Sequence, residues 1–259
     1  MTGGARCRDR LLAPFLADPA RSAILTDFDG TLAPVVDDPL AARELPGVIE
    51  VLAALVGRYA LVAVVSGRPL AFLQERLAGA GGLALTGLYG LERSWGPAVD
   101  VHPDAERWRP LVARVAEAAG RGAPAGVGVE HKGLAVTLHV RTAPGHAGWV
   151  ARFAEEQAGL TGLEVHRGRL AVELRPPVAI DKGTVVAALA AGWQAVCYLG
   201  DDWADLEAFS GLAALRAGGV ATVAVAVSSP EAPPELLAGA DLVVDGPAGA
   251  LDLLRALAA

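Results

Sequence analysis

The chain has 259 residues and a formal net charge of −7, an acidic balance that argues against nucleic acid as a partner, because phosphate backbones recruit basic surfaces. Hydrophobic residues make up 53% and aromatics only 5%, enough for one large domain or two modest ones with cores built mainly from Ala, Val and Leu. Mean hydropathy is +0.40, yet no apolar run approaches the ~18 residues of a membrane span, so no membrane partner is expected.

From Met1 to Asp9 there are arginines but no apolar stretch or cleavage pattern, so no signal peptide is expected. Arg8 to Ala17 places Leu11, Leu12, Phe15 and Leu16 at helical spacing, a lead-in helix. The run Ile24-Leu25-Thr26 then reads as a short buried strand leading into Asp27-Phe28-Asp29-Gly30-Thr31. A loop with Pro34, Asp37, Asp38 and Pro39 follows, and Pro46 opens a helix to about Arg58. Leu61 to Val65 is a solidly apolar strand ending in Ser66-Gly67-Arg68-Pro69, with a helix over 70–77 and a short strand over 83–85 behind it. Unbroken apolar strands alternating with helices predict an α/β fold with a parallel sheet covered on both faces.

Near Gly96 the pattern changes. A helix is predicted over 104–119, another over 146–157, and two strands alternate instead of running apolar. In the first, Val136, Leu138 and Val140 oppose Thr137, His139 and Arg141; in the second, Leu170, Val172 and Leu174 oppose Ala171, Glu173 and Arg175. Such strands predict a small open sheet with one polar face left free, an α+β domain inserted into the first. After Pro176-Pro177 the α/β pattern resumes: a helix capped by Asp181, a strand over 195–199 ending in Gly200-Asp201-Asp202, a helix through Phe209, a strand over 221–227, a helix around 234–238, a strand over 242–244 and a last helix. The expected division is 1–100 and 178–259 for the core, 101–177 for the insert. Cys7 and Cys197 form no disulfide framework, and Cys197 within 195–199 reads as a buried, inert thiol. A soluble, cytoplasmic monomer is expected.

Three strands therefore end in polar groups: Asp27 with Asp29, Ser66-Gly67-Arg68, and Asp201, Asp202 with Asp205. In a parallel sheet these ends share one rim, so they can converge. Acids gathered there repel one another unless a hard, oxygen-seeking cation such as Mg²⁺ neutralises them. Lys182, in the first turn of its helix, adds a positive charge. A hydroxyl, a lysine and a metal around a nucleophilic carboxylate suit phosphoryl transfer. Each feature also has a bland reading: Asp29-Gly30 and Ser66-Gly67 as turns, Lys182 as a solvated helix start, Asp202 and Asp205 as a capping cluster. His131 and His139 lack ligand spacing for zinc and read as satisfied or solvated histidines.

The order Asp27-Phe28-Asp29-Gly30-Thr31, Ser66-Gly67-Arg68, Lys182, Gly200-Asp201-Asp202 with Asp205 resembles the haloacid dehalogenase superfamily of phosphatases. Further stretches resemble its trehalose-6-phosphate phosphatase family: 87–92, Val129-Glu130-His131-Lys132, His139-Val140-Arg141, 172–176, Asp181-Lys182-Gly183 and Glu207-Ala208-Phe209. The resemblance runs from Ile24 to Phe209 and implies a Rossmann-like core with an inserted, C2-type cap. It implies Mg²⁺-dependent hydrolysis of trehalose 6-phosphate, a small sugar phosphate, through an aspartyl-phosphate on Asp27, with cap closure excluding water. Asp29 would be general acid, then base. The metal would be held by Asp27, the Asp29 carbonyl and Asp201, with Asp202 and Asp205 secondary. Ser66 and Lys182 would hold the phosphate, and Gly67 and Arg68 would lie at the substrate. Glu130 and Lys132, two apart on one strand, would read the distal sugar with Glu173 and Arg141; the bland alternative is a solvated sheet face. Ala204 and Leu206 stand where such families often carry Thr and Glu, which implies a sparser outer shell for the metal. Two other functions fit the same motifs: the same chemistry on another disaccharide or pseudo-disaccharide phosphate, and an inactive sugar-phosphate sensor. The acid Asp29, which a sensor does not need, argues against the latter.

Overall fold

The computed structural model describes residues 3–96, 98–168 and 170–259. Met1 and Thr2, part of the stretch read for a signal peptide, lie outside the described residues, as do Pro97 and Arg169. The chain forms two compact units, one of Met1–Val99 with Ile180–Ala259 and the other of Asp100–Ala179.

The first unit opens with α1 (Gly3–Ala17), β1 (Ser22–Thr26), α2 (Val48–Val56), β2 (Leu61–Val65), α3 (Leu70–Arg76) and β3 (Ala84–Gly87). Helix α2 starts two residues after the expected Pro46, because Gly47 at its N-cap takes a left-handed φ of 93° that no helical residue adopts. Strands β4 (Glu92–Trp95) and β5 (Val99–Val101) come next and were not anticipated. The second unit holds α4 (Pro103–Glu106), α5 (Arg109–Gly122), β6 (Gly128–His131), β7 (Val136–His139), α6 (Ala147–Thr161), β8 (Glu164–Arg167) and β9 (Ala171–Arg175). The first unit resumes with α7 (Lys182–Ala190), β10 (Ala195–Gly200), α8 (Asp205–Ala217), β11 (Ala221–Ser228), α9 (Pro234–Gly239), β12 (Leu242–Asp245) and α10 (Gly246–Ala258).

An eight-stranded sheet in the order β12-β11-β10-β1-β2-β3-β4-β5 organises the first unit. Its pairings from β12 through β3 are parallel, and β4 joins β3 antiparallel. Successive strand residues point to opposite faces, and here each face feeds its own core. Ile24, Val62, Val64, Cys197, Leu199 and Val225 pack beneath α1, α2, α3 and α10. Leu25, Ala63, Val65, Val196, Tyr198 and Ala224 pack beneath α7, α8 and α9. With both faces covered, the strands have no polar alternation to show, which is why they read as unbroken apolar runs. Burial pushes the Cys197 thiol up to about 12, in keeping with an inert thiol.

In the second unit the antiparallel sheet runs β6-β7-β9-β8. Val136, Leu138 and Leu174 meet Val112 and Val115 of α5 and Val150 and Ala154 of α6 on one face. The sheet has four strands, the expected two alternating ones and the Glu130 strand being joined by β8. Its other face is not a free polar surface: Thr137 and Glu173 on it are buried, at 4% and 6% exposure. Long side chains paired across neighbouring strands cover one another, so an alternating polar stripe need not be a wet one. No helix among the described residues is long and apolar enough to cross a membrane.

Candidate active site

β1 delivers Asp27 and Asp29 just past its carboxyl end. Asp27 N–H donates to the Leu199 carbonyl at 2.8 Å, which continues the pairing with β10 and brings the acid beside the Asp201 loop. The turn after it depends on Gly30, whose φ is 72° and whose added Cβ would lie 1.9 Å from the Asp201 carboxylate. Only glycine lets the two acidic segments approach so closely.

Asp27, Asp201 and Asp205 form a buried trio, one carboxylate oxygen of each lying within 4.8 Å of the others. Lys182, 1% exposed, places its Nζ 2.9 Å from Asp27 Oδ2, 2.7 Å from Asp205 Oδ1 and 3.9 Å from Asp202 Oδ1. The capping box at Asp181 and Thr184 fixes the helix start that carries this lysine. The bland reading of Lys182 as a solvated helix start does not describe it.

The three acids differ in what already holds them. Asp205 Oδ1 accepts from Lys182 and from the Tyr198 hydroxyl at 2.6 Å, and its Oδ2 accepts from the Asp201 and Asp202 amides at 2.8 and 3.0 Å. Burial alone would raise its carboxyl, but Lys182 and these hydrogen bonds outweigh burial and hold it below the usual range. Asp27 Oδ1 accepts from the Phe28 amide at 2.7 Å. Burial pushes Asp27 well above the usual carboxylate range, Lys182 opposes this, and the charges of Asp205 and Asp202 add to it. Asp201 is raised by burial and then by Asp27, Asp205 and Asp202; Thr31 Oγ1, at a long 3.5 Å, donates to its Oδ1. Lys182 itself is held well above its ordinary value, since Asp205 and Asp27 overcome the cost of burial.

A buried carboxylate with one long hydrogen bond, beside a second under-compensated acid, is a donor set suited to a hard cation. Asp27 and Asp201 fit that role better than Asp205, whose two oxygens are each spent on two donors. Asp202 stands at the edge, its side chain 53% exposed.

Asp29 is held differently. Arg68 grips it through both oxygens, Nε to Oδ2 at 2.6 Å and Nη2 to Oδ1 at 2.7 Å. Ser66, 1% exposed, follows β2; its Oγ accepts the Arg68 amide at 3.2 Å, and its O–H is the donor it can offer a ligand. Gly67 lies under the Tyr89 hydroxyl, 2.4 Å from where a Cβ would stand. Leu206 packs against the apolar core under α8, which accounts for an apolar residue at that position.

In the second unit, register aligns Glu130 with Thr137 and Thr137 with Glu173 across three strands. Lys132 lies one residue past β6 rather than on it, because that strand ends at His131. Its amide still donates to the Ala135 carbonyl at 2.8 Å, and its Nζ sits 3.0 Å from Glu173 Oε1 and 3.9 Å from Glu130 Oε2. Thr137 Oγ1 donates to Glu173 Oε1 at 2.8 Å, Arg175 Nε stands 3.6 Å from Glu173 Oε2, and His139 Nε2 meets Glu130 Oε2 at 2.9 Å. Burial pushes Glu173 up, but Lys132 and Arg175 override it and hold the carboxyl below its usual range. Arg141 follows the end of β7, in the turn beyond Val140.

Sequence reasoning missed Tyr198 and Thr137 as parts of these clusters. Tyr198 lay inside an apolar run, where the one signal was that a buried phenol needs a partner. Thr137 was placed on the polar face without a role, although a hydroxyl between two acids on neighbouring strands is a natural donor.

The trehalose-phosphatase family model matches residues 25–235. A trehalose-phosphate phosphatase from Mycolicibacterium paratuberculosis is 39% identical over 220 residues, which cover 79% of this chain and 54% of that protein. The chain thus spans about half the length of the curated relatives it matches. Among solved structures, the C-terminal domain of the Candida albicans trehalose-6-phosphate phosphatase superposes with a TM-score of 0.78 at 23% identity, covering 97% of this chain and 96% of that one. A trehalose-6-phosphate phosphatase related protein has the same TM-score, 0.78, at 20% identity, covering 91% and 96%. These two likenesses speak for the fold, and the family match spans both clusters of acids. The chain belongs to the trehalose-phosphatase family.

Proposed function

We propose that the protein hydrolyses trehalose 6-phosphate to trehalose and inorganic phosphate, with Mg²⁺, through an aspartyl-phosphate on Asp27. The observation that carries this reading is the family match over 25–235, which takes in both the strand-end acids and the Glu130, Lys132 and Glu173 cluster. In the first half-reaction an Asp27 oxygen attacks phosphorus and the bond to the sugar oxygen breaks, while Asp29 gives that oxygen its proton. In the second, Asp29 takes a proton from water, the water oxygen attacks phosphorus, and the bond to Asp27 breaks. Lys182 and Ser66 hold phosphate oxygens throughout, and Asp205 keeps the lysine in place. Asp27, Asp201 and the Asp29 carbonyl would hold Mg²⁺, with Asp202 and Asp205 close by; the cation supplies charge neutralisation for phosphate oxygens that would otherwise repel the attacking acid. Glu130, Lys132 and Glu173, with Arg141 nearby in sequence, offer acceptors and donors to sugar hydroxyls.

The test is phosphate release from a panel of trehalose 6-phosphate, sucrose 6-phosphate, glucose 6-phosphate and an aryl phosphate, with and without chelator. The disaccharide of two glucoses should lead the panel and chelator should silence it. Equal rates across the panel, or full activity without metal, would sink the reading.

A further inference from the structure

Arg68 stands in an unusual position for a residue expected to touch substrate. One edge of its guanidinium, Nε and Nη2, is spent on the two oxygens of Asp29 at 2.6 and 2.7 Å. Its flat face lies over the Phe72 ring with Cζ 4.6 Å from the centroid, and Phe72 is braced edge-on by Phe28 at 5.7 Å. Its backbone N–H is tied to Ser66 Oγ at 3.2 Å. The Arg68 side chain is 9% exposed and that of Asp29 32%, so the arginine is the fixed partner and the acid keeps an open side.

A guanidinium is all donor, whereas a carboxylate is all acceptor. A forked pair of this kind fixes the plane and direction of the carboxylate. The open side of Asp29 is thereby held in one direction by a partner that is itself held in place. We infer that Arg68 is the positioning residue of Asp29, aligning it as the base for the second half-reaction, rather than a ligand of the substrate phosphate. This rests on the reading of the protein as a phosphatase with Asp27 as nucleophile. The step it serves is the attack of water on the phosphoryl group of Asp27. Asp29 receives the water proton, the new bond forms between water oxygen and phosphorus, and the electron pair of the broken bond returns to the Asp27 carboxylate, which releases inorganic phosphate.

A positioning role and a phosphate-binding role leave different traces. Loss of the fork slows hydrolysis of the phospho-enzyme while leaving its formation intact when the leaving group needs no proton. With 4-nitrophenyl phosphate, Arg68→Ala should release a burst of nitrophenolate matching the enzyme concentration, then turn over about 10- to 100-fold more slowly than wild type, less than the ~10²–10⁴-fold of losing proton transfer outright, because Asp29 itself remains. Labelled phosphate should be trapped on the variant and not on wild type. Millimolar guanidinium should speed the slow phase, and the inhibition constant for inorganic phosphate should stay within about twofold. Arg68→Lys, which keeps the charge but cannot fork, should show the same burst to a lesser degree, and it carries the test should the alanine variant not fold. A phosphate inhibition constant that rises as far as turnover falls, with no burst and no trapped label, would overturn the assignment in favour of a phosphate contact. Unchanged turnover in both variants would overturn it as well. Wild-type protein inert towards every phosphoester would bring down the phosphatase reading and this inference together, a failure told apart from the others by the wild-type control alone.

Discussion

In the first unit, Asp27, Asp201, Asp202 and Asp205 crowd around the ammonium of Lys182; in the second, Glu130 and Glu173 meet Lys132, Arg175 and His139. Both clusters are acidic and largely buried, yet Asp27 and Asp201 are pushed up while Glu173 is held down. The first cluster is short of positive charge and the second is not. A cluster short of charge suits a cation and a charged ligand. A site already neutralised from within offers fixed hydrogen-bonding groups to an uncharged ligand, and sugar hydroxyls are such a ligand.

Breaking the first cluster should produce the largest effect. Asp27→Asn removes the proposed nucleophile and should lower kcat by at least ~10³-fold, a loss typical of a deleted nucleophile. Because it also removes one of the crowded acids, its melting temperature should hold or rise; a variant with wild-type turnover would take Asp27 out of its role. Next in size is Lys182→Met, which strands Asp27 and Asp205 without their buried cation. Urea unfolding should show a loss of about 3–5 kcal/mol, the usual cost of breaking a buried pair from one side. A loss smaller than a surface ion pair would mean that the lysine is not what compensates the acids.

In the second cluster, Glu173→Ala should raise KM for the disaccharide phosphate by about tenfold, ~1.4 kcal/mol, and leave an aryl phosphate almost unaffected. Equal losses on both substrates would remove the sugar-reading role. The smallest effect sets the clusters against each other by pH. Asp27 and Asp201 bind protons more tightly folded than unfolded, so their cost is full above their raised values and is relieved as pH falls through them. Glu173 has the opposite sign: its contribution is present above the unfolded value of about 4.3 and is lost as pH falls through the lowered one. Metal-free protein should therefore melt about 2–5 °C higher at mildly acidic than at neutral pH, and Mg²⁺ should erase that gain. Melting curves in both conditions decide it, and a gain that survives Mg²⁺ would separate the acids from the metal.

The parallel sheet and the strand-end acids were legible because buried strands and turn residues leave strong local marks. Strands β4 and β8 were not. Glu92-Arg93-Ser94-Trp95 and Glu164-Val165-His166-Arg167 each carry a single apolar residue, and β8 lies at a sheet edge where pairing on one side suffices. The fork between Arg68 and Asp29, 39 residues apart, was out of reach for a different reason. Spacing places residues on an element, but which of two neighbouring polar groups a guanidinium chooses is decided by geometry at the rim. The four donors on Asp205 were equally out of reach, since they come from Lys182, Tyr198 and two backbone amides that meet only in the folded chain.

The alignment of Glu130, Thr137 and Glu173 across β6, β7 and β9 has a bearing on how the second unit assembles. A slip of two residues between β7 and β9 would keep every side chain on its own face, but it would set Glu173 against Ala135 or His139 in place of Thr137 and carry a buried charge away from that donor. The apolar face would lose little by such a slip, since Val172 and Leu174 would again meet a valine or leucine on β7 or just beyond it. The polar row thus acts as a proofreader of strand pairing: a misregistered sheet pays through its charges, so a correctly folded second unit is one in which Glu130, Thr137 and Glu173 are already in line.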